Sequence, residues 1–580
     1  MTALDPVLTQ ILWNRVISIV DEAATGLIRT SYSSVVRDFH DFSCGFFDAS
    51  GNMLAHSTKT TTAFIGVMPY LMRHFLEHFP VDDLKPGDVL ITNDPWLGTG
   101  HTYDLCIASP VFMDDRPVGY SVCIVHHLDI GGRMATTESK DMYEEGLRLP
   151  MLKLYREGTL DPAVEAIIRA NVREPDKVFG DIRAQVVANN VCARGVLGMM
   201  RDYSLAPGQL DQLSAEIIER TERSLRQKIL ELPDGVFDNE VTLPTIGSVS
   251  GIRIRVKVTI RGDEIEIDYD GSSGEIAAAV NVTFNMTRSY SLYPIKLAID
   301  PQVPNNEGCL RPITVKAPVG SLLNCQPPAP TWGRTMICHN LPEIVFGALA
   351  KAIPDRIMAG SGSTPLVFTY FRSRRRDGRT YVGITSSMGG MGATSRGDGP
   401  SCRGFPYNVG NIPVETIEKD VPIFYRRKEL ITDSGGPGAH RGGLGQDCEI
   451  VVAGGDLAPV GPLVVGIRGS GRSPESPYPV FGRLGGGVGR GEALTLNGEN
   501  IPHGPQQHLK PGDVLRIALP GGGGYGDPLA RDPELVADDV RHGYVSPAAA
   551  ADDYGIALNE DGSVDVPRTR ALRAFMSCMK

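Results

Sequence analysis

Apolar residues recur at helical spacing through the first part of the chain. Asp5-Pro6 is typical of an N-cap followed by a first helical residue, and the apolar positions between Val7 and Val20 then return every three or four residues. The same spacing predicts helices over residues 64–79, 161–170, 176–203 and 207–232. We expect each of these helices to bury one face.

The pattern changes after Leu232-Pro233-Asp234-Gly235. IRIRVKVTI (252–260) and EIEIDYD (264–270) alternate strictly between apolar and polar residues, which predicts a β-hairpin turning at Gly262-Asp263. Beyond it Gly and Pro are dense, and helices are expected only near 285–299 and 340–352. The pattern predicts an α+β fold in three parts: a mixed α/β domain at 1–235, a β-rich domain at 236–530 and a C-terminal tail at 531–580.

Five Gly-rich strings lie in or beside the predicted β-rich domain: MGGMG (388–392), DSGGPG (433–438), RGGLG (441–445), RLGGGVG (483–489) and PGGGGYGD (520–527). None is followed by Lys-Ser or Lys-Thr, so none is a phosphate-binding P-loop. We interpret them as tight turns that need positive φ angles. The chain also lacks a G-x-S-x-G elbow, an H-E-x-x-H helix and a dinucleotide fingerprint.

The stretch with the clearest chemistry runs from Asn93 to Gly132. His101 and Asp104 stand three residues apart in a Gly-rich loop, two apolar runs of strand composition follow, and His126, His127 and Asp129 end the stretch. Imidazole and carboxylate are ligands for a divalent ion such as Zn²⁺ or Mn²⁺, and a strand-turn-strand path can return the second cluster to the first. The alternative is that these residues cap strands and turns.

A second acidic group precedes a predicted strand. Alternation through Phe42, Cys44 and Phe46, followed by a turn at Asp48-Ala-Ser-Gly-Asn, predicts a strand and its return strand. Asp38, His40 and Asp41 stand at the entrance to this hairpin. Such an acid often bonds a neighbouring turn, but it is also able to reach a metal held by the later loop.

Composition excludes several classes of protein. A net charge of −11 disfavours a nucleic-acid binder, and no apolar run approaches the ~18 residues of a membrane span. The N-terminus, MTALDPVLTQ, lacks the basic start and apolar core of a signal peptide. The ten cysteines form no C-x-x-C pair, which is typical of a reducing compartment. We expect a cytoplasmic protein.

Ten blocks in fixed order resemble the hydantoinase B/oxoprolinase family: DFSC (41–44), NDPWLGTGHTYD (93–104), HHLDIGG (126–132), EEGLRLP (144–150), GDIRAQ (180–185), PNNEGCLRPI (304–313), GGMGA (389–393), DSGGPG (433–438), RGGLG (441–445) and PGGGGYGDP (520–528). The family includes B-type subunits of ATP-dependent N-methylhydantoinase and caprolactamase, the C-terminal half of 5-oxoprolinase, and related subunits of acetone and acetophenone carboxylases.

The resemblance implies a metal-bearing subunit that works with an A-type partner of actin-like fold, which binds ATP and Mg²⁺, in a hetero-oligomer such as α2β2. Carried over by position, the metal ligands fall on Asp41, His101, Asp104 and His126. His127 and Asp129 then become candidates for catalysis. Adjacent residues in a strand face opposite ways, so only one of the two histidines should reach the ion, and we favour His126.

The chain departs from the family pattern at TTAFIGVM (61–68), where many hydantoinase-type members carry two histidines. A different substrate pocket is expected there. The HHLDIGG ending and the length of 580 residues favour the cyclic-amide branch over the ketone carboxylases.

The implied activity is hydrolysis of a hydantoin, lactam or 5-oxoproline-like ring. A ring amide is a poor electrophile until ATP phosphorylates its oxygen, and a divalent ion can lower the pKa of a bound water from about 15.7 towards roughly 7 for attack on the activated carbonyl. His127 or Asp129 would move the proton. The alternatives are a ketone carboxylase subunit, separable by bicarbonate dependence, and a structural subunit whose metal only joins loops.

Overall fold

The computed structural model describes residues 5–59, 61–469 and 471–579. Residues 1–4 therefore lie outside the described residues. They begin the N-terminal segment MTALDPVLTQ, whose sequence does not resemble a signal peptide. Within the described ranges the fold is a mixture of helices and several sheets, as the sequence predicts. None of the described helices is both long enough and apolar enough to cross a bilayer.

The predicted N-terminal helices are present, and their ends follow local signals. The side chain of Asp5 accepts a hydrogen bond from the backbone N–H of Val7 at 3.0 Å, and Pro6 occupies the first helical turn. Pro also opens the three helices predicted after residue 160. The helices are α1 (Pro6–Thr30), α2 (Ser34–Arg37), α3 (Thr62–His78), α4 (Pro162–Asn171), α5 (Pro175–Asp202) and α6 (Pro207–Leu230).

A seven-stranded antiparallel sheet forms the centre of the N-terminal region, in the order β2-β1-β5-β4-β3-β6-β7. Helices α1 and α5 pack on one of its faces through a shared apolar cluster. The strands are β1 (Phe42–Asp48), β2 (Met53–His56), β3 (Val89–Thr92), β4 (Asp104–Met113), β5 (Arg116–His126), β6 (Leu152–Arg156) and β7 (Thr159–Leu160).

The second sheet contains the predicted hairpin. Its strands are ordered β11-β10-β9-β8, and the hairpin closes with Arg261 opposite Glu264. The alternating burial of β9 matches its alternating sequence. The elements are β8 (Gly235–Thr242), β9 (Arg253–Arg261), β10 (Glu264–Asp268), α7 (Phe284–Ile299), β11 (Ile313–Lys316), α8 (Thr335–Cys338) and α9 (Leu341–Leu349).

Two further sheets follow, in the orders β13-β12-β16-β19 and β14-β15-β20-β17-β18. The basic run from Arg372 to Arg379 spans the β12–β13 turn. The elements are β12 (Val367–Arg374), β13 (Thr380–Ser387), α10 (Val414–Asp420), β14 (Ile423–Leu430), β15 (Gln446–Val452), β16 (Val460–Arg468), β17 (Ala493–Leu496), β18 (Glu499–Asn500), β19 (Gln507–Leu509) and β20 (Val514–Ala518).

The interpretation of the Gly-rich strings as positive-φ turns is wrong for most of their glycines. Asp433 and Leu484 have a positive φ, but among the glycines of the five strings only Gly485 and Gly526 do. The others lie in extended segments that bond to one another outside the named strands: Gly522 donates to Gly443 O at 2.8 Å and accepts from Gly436 N at 2.8 Å. A Cβ at Gly522 would overlap the carbonyl oxygen of Met391. These glycines are needed because backbone packs directly on backbone.

The region from 531 to 579 is largely helical, with α11 (Pro533–Arg541), α12 (Pro547–Tyr554) and α13 (Val566–Met579). The division into three domains stays a prediction. The first sheet ends at Leu160 and the second begins at Gly235, yet one apolar core contains residues from Val35 to Leu519.

Candidate metal centre

The hairpin of β4 and β5 brings the two halves of the His/Asp pattern together. Asp104 is the first residue of β4 and His126 is the last residue of β5, and the antiparallel register makes them direct Cα partners. Their side chains therefore share one face. His126 Nδ1 lies 2.8 Å from Asp104 Oδ1.

Two more segments supply the remaining predicted ligands. His101, in the loop before β4, places Nε2 at 2.9 Å from Asp104 Oδ2. Asp41 directly precedes β1; its carbonyl accepts the backbone N–H of His126 at 3.0 Å, and its Oδ2 lies 4.0 Å from His126 Nδ1. All four side chains are at most 2% exposed.

The donor atoms of this cluster are poorly satisfied by the protein. Among the described residues, Nδ1 of His101 and Nε2 of His126 have no hydrogen-bond partner, and Nε2 of His101 meets Asp104, which is itself a predicted ligand. Buried polar atoms are normally paired, because an unpaired one costs about 1–3 kcal/mol. Ligand atoms of His101, Asp104 and His126 lie within 4.8 Å of one another. This nitrogen and oxygen set fits a divalent ion.

The buried ionisable side chains of the cluster have shifted pKa values, and the direction differs between the two carboxyl groups. Burial opposes ionisation of Asp104, but His101 and His126 hold the pKa of this carboxyl well below its usual range. Burial, followed by the positive charge of Arg334, holds the pKa of His101 well below its usual value, so that its imidazole is neutral at pH 7. Burial, followed by the charge of Asp104, raises the pKa of Asp41. Neutral imidazoles are the form that binds metal.

Two buried arginines next to the cluster have no motif that predicts them. Arg334 donates from Nε to Thr99 O at 2.7 Å and from Nη2 to Asp104 Oδ2 at 3.2 Å, while its Nη1 has no partner in the described parts of the chain. Arg468 lies between the rings of Trp332, Phe368 and Tyr370, with its guanidinium carbon 4.6–4.8 Å from each centroid. Burial and then the charge of Arg334 lower the pKa of Arg468 to about 9.

Glu145, from the EEGLRLP block, holds the segment that carries Arg334. Its Oε1 accepts the backbone N–H groups of Thr331 and Trp332, each at 2.8 Å. Burial raises the pKa of Glu145 to about 7, against the opposing effect of these N–H groups. Its neighbour in the sequence, Glu144, pairs with Arg133 at the surface instead. Only three-dimensional packing distinguishes the two glutamates.

Tyr103 forms one wall of the centre. Its ring stacks on His101 and His126 with centroid distances of 5.7 and 5.5 Å, and it meets Tyr370 edge-on at 6.4 Å. Its hydroxyl is buried without a hydrogen-bond partner among the described residues. Aromatic side chains thus shield the histidines from water on this side.

His127, which is predicted as a catalytic residue, contacts helix α5. Its Nε2 lies 3.1 Å from Gln185 Oε1 on helix α5. Gln185 Nε2 donates to the carbonyls of Leu105 and Cys123, at 2.9 and 3.2 Å, which leaves Oε1 as the atom that accepts a hydrogen bond from the N–H group of His127. His127 thereby joins α5 to the sheet. Its predicted catalytic role stays a prediction.

Asp129 is engaged by the chain segment at residue 173. Its Oδ1 lies 2.6 Å from Arg173 Nη1 and 3.1 Å from the backbone N of Gly131, and its Oδ2 accepts the backbone N–H of Arg173. These contacts occupy both oxygens. The predicted role of Asp129 in proton transfer also stays a prediction, and the observed contacts favour a structural role.

Comparison with known proteins agrees with the ordered blocks. Residues 5–528 match the family described as hydantoinase B/oxoprolinase. The chain belongs to this family. The caprolactamase subunit beta of Pseudomonas jessenii is 30% identical over 599 residues, which cover 99% of this chain and 100% of the relative.

Solved structures of similar proteins have the same fold. The crystal structure of ATP-dependent caprolactamase from Pseudomonas jessenii superposes with a TM-score of 0.88 at 28% identity, covering 99% of this chain and 100% of that one. A nucleotide-free acetone carboxylase structure superposes with a TM-score of 0.85 over 99% of this chain and 83% of its own. At 18% identity, the second likeness shows a shared fold alone.

The segment in which this family member departs from the hydantoinase pattern lines a separate cavity. Residues 61–68 form the start of α3, and Thr62, Ile65 and Gly66 contribute to a cavity of about 210 Å³ together with His56 and Lys296. Phe64, which stands in this segment, is fully buried in the core. This segment thus supplies both a core residue and part of a cavity wall.

Proposed function

We propose that this chain is the metal-bearing B-type subunit of an ATP-dependent hydrolase of cyclic amides such as a hydantoin, a lactam or 5-oxoproline. The observation that carries the proposal is the buried His101–Asp104–His126 cluster with its unsatisfied donor atoms. Membership of the hydantoinase B/oxoprolinase family and the fold shared with an ATP-dependent caprolactamase support it.

In this proposal Asp41, His101, Asp104 and His126 hold one divalent ion, Zn²⁺ or Mn²⁺. The bound ion would supply Lewis-acid activation of water or of a carbonyl oxygen. Asp104 has the central position, because its two oxygens contact different histidines and Arg334. Burial, followed by the positive charge of Arg334, lowers the pKa of His101, which keeps the imidazole neutral and its lone pair free for donation.

The protein groups around the ion exclude water and orient the reacting ring. Tyr103 covers the two histidines, and Arg334 presents an unpartnered N–H group beside Asp104. Such a donor is suited to a carbonyl or phosphoryl oxygen in which negative charge develops. We assign Arg334 this stabilising role, and we assign His127 to the contact between α5 and the sheet.

ATP is expected to come from an A-type partner. The sequence contains no P-loop, and a resonance-stabilised ring amide needs activation before water attacks it. The name caprolactamase subunit beta, carried by a relative aligned over its whole length, supports an assembly of at least two kinds of subunit.

The test is to co-express the chain with an A-type subunit and to assay ring opening of hydantoin, ε-caprolactam and 5-oxoproline. We expect ATP-dependent turnover of at least one ring and no requirement for bicarbonate. An Asp104→Asn complex is the matched control, since it keeps the size of the side chain and removes its charge. Strict bicarbonate dependence with a ketone would replace the hydrolase by the carboxylase alternative.

A further inference from the structure

A second cavity, of about 540 Å³, lies at the surface beside the candidate metal centre and has a strongly basic lining. Arg173, Arg372, Arg374 and His508 line it, together with Ser373, Thr380 and four apolar or glycine positions of β16. The lining contains no acidic residue. We call it the arginine cavity.

Two of its arginines have no counter-charge in contact. Arg173 is paired with Asp129. The side chains of Arg372 and Arg374, by contrast, have no hydrogen bond or ion pair with any residue in the ranges 5–59, 61–469 and 471–579. Arg372 is half-buried, and burial followed by the charge of Arg173 lowers its pKa. Arg374 is exposed, so water solvates its charge, whereas the half-buried guanidinium of Arg372 is less well solvated and would gain most from an anionic ligand.

The strand that carries these arginines leads inward to the candidate metal centre. Alternate residues of β12 share one face, so Arg374, Arg372 and Tyr370 follow one another along it. The Tyr370 hydroxyl accepts a hydrogen bond from Arg468, and the Tyr370 ring contacts Tyr103, which stacks on His101 and His126. The aromatic side chains of Tyr370 and Tyr103 lie along this path between the cavity and the histidines.

We propose that the arginine cavity binds the oxyanion of a molecule that the enzyme uses, either the carboxylate of a ring substrate or a phosphoryl group. The proposal rests on the proposed function for the identity of that molecule. Arginine presents a planar fork of N–H donors that matches either oxyanion in a bidentate manner. Arg372 and Arg374 are the positioning residues, and Arg173 is held in place by Asp129.

The cavity also gives Asp129 a function that does not require proton transfer. By binding both the backbone and the guanidinium of Arg173, Asp129 fixes one wall of the cavity. His127 and Asp129 would thus both have structural roles near the centre. His127 contacts α5, and Asp129 fixes a wall of the arginine cavity.

The test is calorimetric titration of the full-length, metal-loaded chain at low salt with three probes: inorganic phosphate, 5-oxoproline and neutral ε-caprolactam. We expect Arg372→Met and Arg374→Met each to weaken the binding of an oxyanion by ~10-fold or more, as expected for a lost hydrogen bond to a charged group. Arg379→Met is the matched control, because Arg379 belongs to the same hairpin, is 84% exposed and lies outside the cavity.

The probes separate the two sources of the anion. Arginine-dependent binding of 5-oxoproline indicates a ring carboxylate, and arginine-dependent binding of phosphate alone indicates the phosphoryl group. Unchanged oxyanion affinity in the Arg372→Met, Arg374→Met double variant overturns the proposal. A double variant that binds both oxyanions normally but fails to assemble with the A-type subunit also overturns the proposal. The arginines would then contact an acidic segment of the partner. Titration does not require turnover. The binding result therefore tests the arginine cavity even if the ring-opening assay contradicts the proposed function.

Discussion

Asp104 and His126 begin and end two antiparallel strands, and they face each other as direct partners with Nδ1 at 2.8 Å from Oδ1. The strand register therefore sets the distance between two groups that stand 22 positions apart in the chain. A register fixed by two buried strands is a rigid base for a metal site, because a slip of one residue would turn every side chain to the other face.

The first prediction concerns metal content. The purified chain should hold about one divalent ion, and His101→Ala or Asp104→Ala should each remove most of it, because each deletes a ligand from a compact set. Elemental analysis of the folded variants measures this directly. His542→Ala, at an exposed position after α11, is the control and should keep its metal. Full metal content in the Asp104→Ala variant would contradict the assignment of the centre.

The second prediction separates the adjacent histidines. His126→Ala should lose metal, whereas His127→Ala should retain it, because the imidazole of His127 bonds Gln185 on α5. His127→Ala leaves Gln185 Oε1 buried without a donor, which should lower the free energy of unfolding by about 1–3 kcal/mol. If His127 is also a catalytic group, its variant complex will lose turnover while keeping metal.

Chemical denaturation and elemental analysis of both variants provide the measurements. Gln185→Leu is a useful companion, since it removes the same hydrogen bond from the other side and leaves both histidines intact. Loss of metal from the His127→Ala variant with retention in the His126→Ala variant would exchange the roles of the two residues.

The sequence predicts which side chains come together where the residues are close along the chain. His101, Asp104 and His126 fall within one hairpin and its entry loop, so their spacing and the strand pattern are enough to bring them together. Arg334 contacts Asp104 across a separation of 230 positions, and Arg468 reaches the same place from β16. No periodicity or motif encodes such contacts, because they depend on how the sheets pack.

The Gly-rich strings show a different limit of sequence reasoning. A glycine that allows positive φ and a glycine that allows two backbones to touch are identical in sequence. The five strings come from positions between 388 and 527 and meet only in the folded chain. The local sequence pattern therefore could not predict which of these segments pack against one another.

The third prediction follows from this packing. Gly522→Ala should destabilise the protein by about 3 kcal/mol or prevent folding. The new Cβ would overlap Met391 O, and moving either backbone segment to relieve the overlap costs free energy. Gly454→Ala is the matched control, since its Cβ would meet nothing within 4 Å. Urea denaturation of the two variants gives the comparison. Equal stability would mean that the glycine segments do not pack as observed.

The last prediction is that the isolated chain opens no ring, with or without ATP, and gains activity only in complex with its A-type partner. Its physical basis is that a bound metal ion activates water or a carbonyl but gives little help against the resonance of an unactivated amide. The sequence offers no P-loop of its own. Interfaces between obligate subunits commonly bury more than ~2,000 Å², so the chain alone should also be less stable than the complex.

The measurement compares the metal-loaded chain, the complex, and a complex reconstituted with chain carrying Asp104→Asn. We expect turnover from the complex alone. The Asp104→Asn complex should assemble at the normal size on a gel-filtration column and remain inactive, because the substitution leaves the surface unchanged and weakens only the buried centre. Rapid ring opening by the isolated chain without ATP would refute both the need for a partner and the activation step, and would require the metal centre to hydrolyse an unactivated amide.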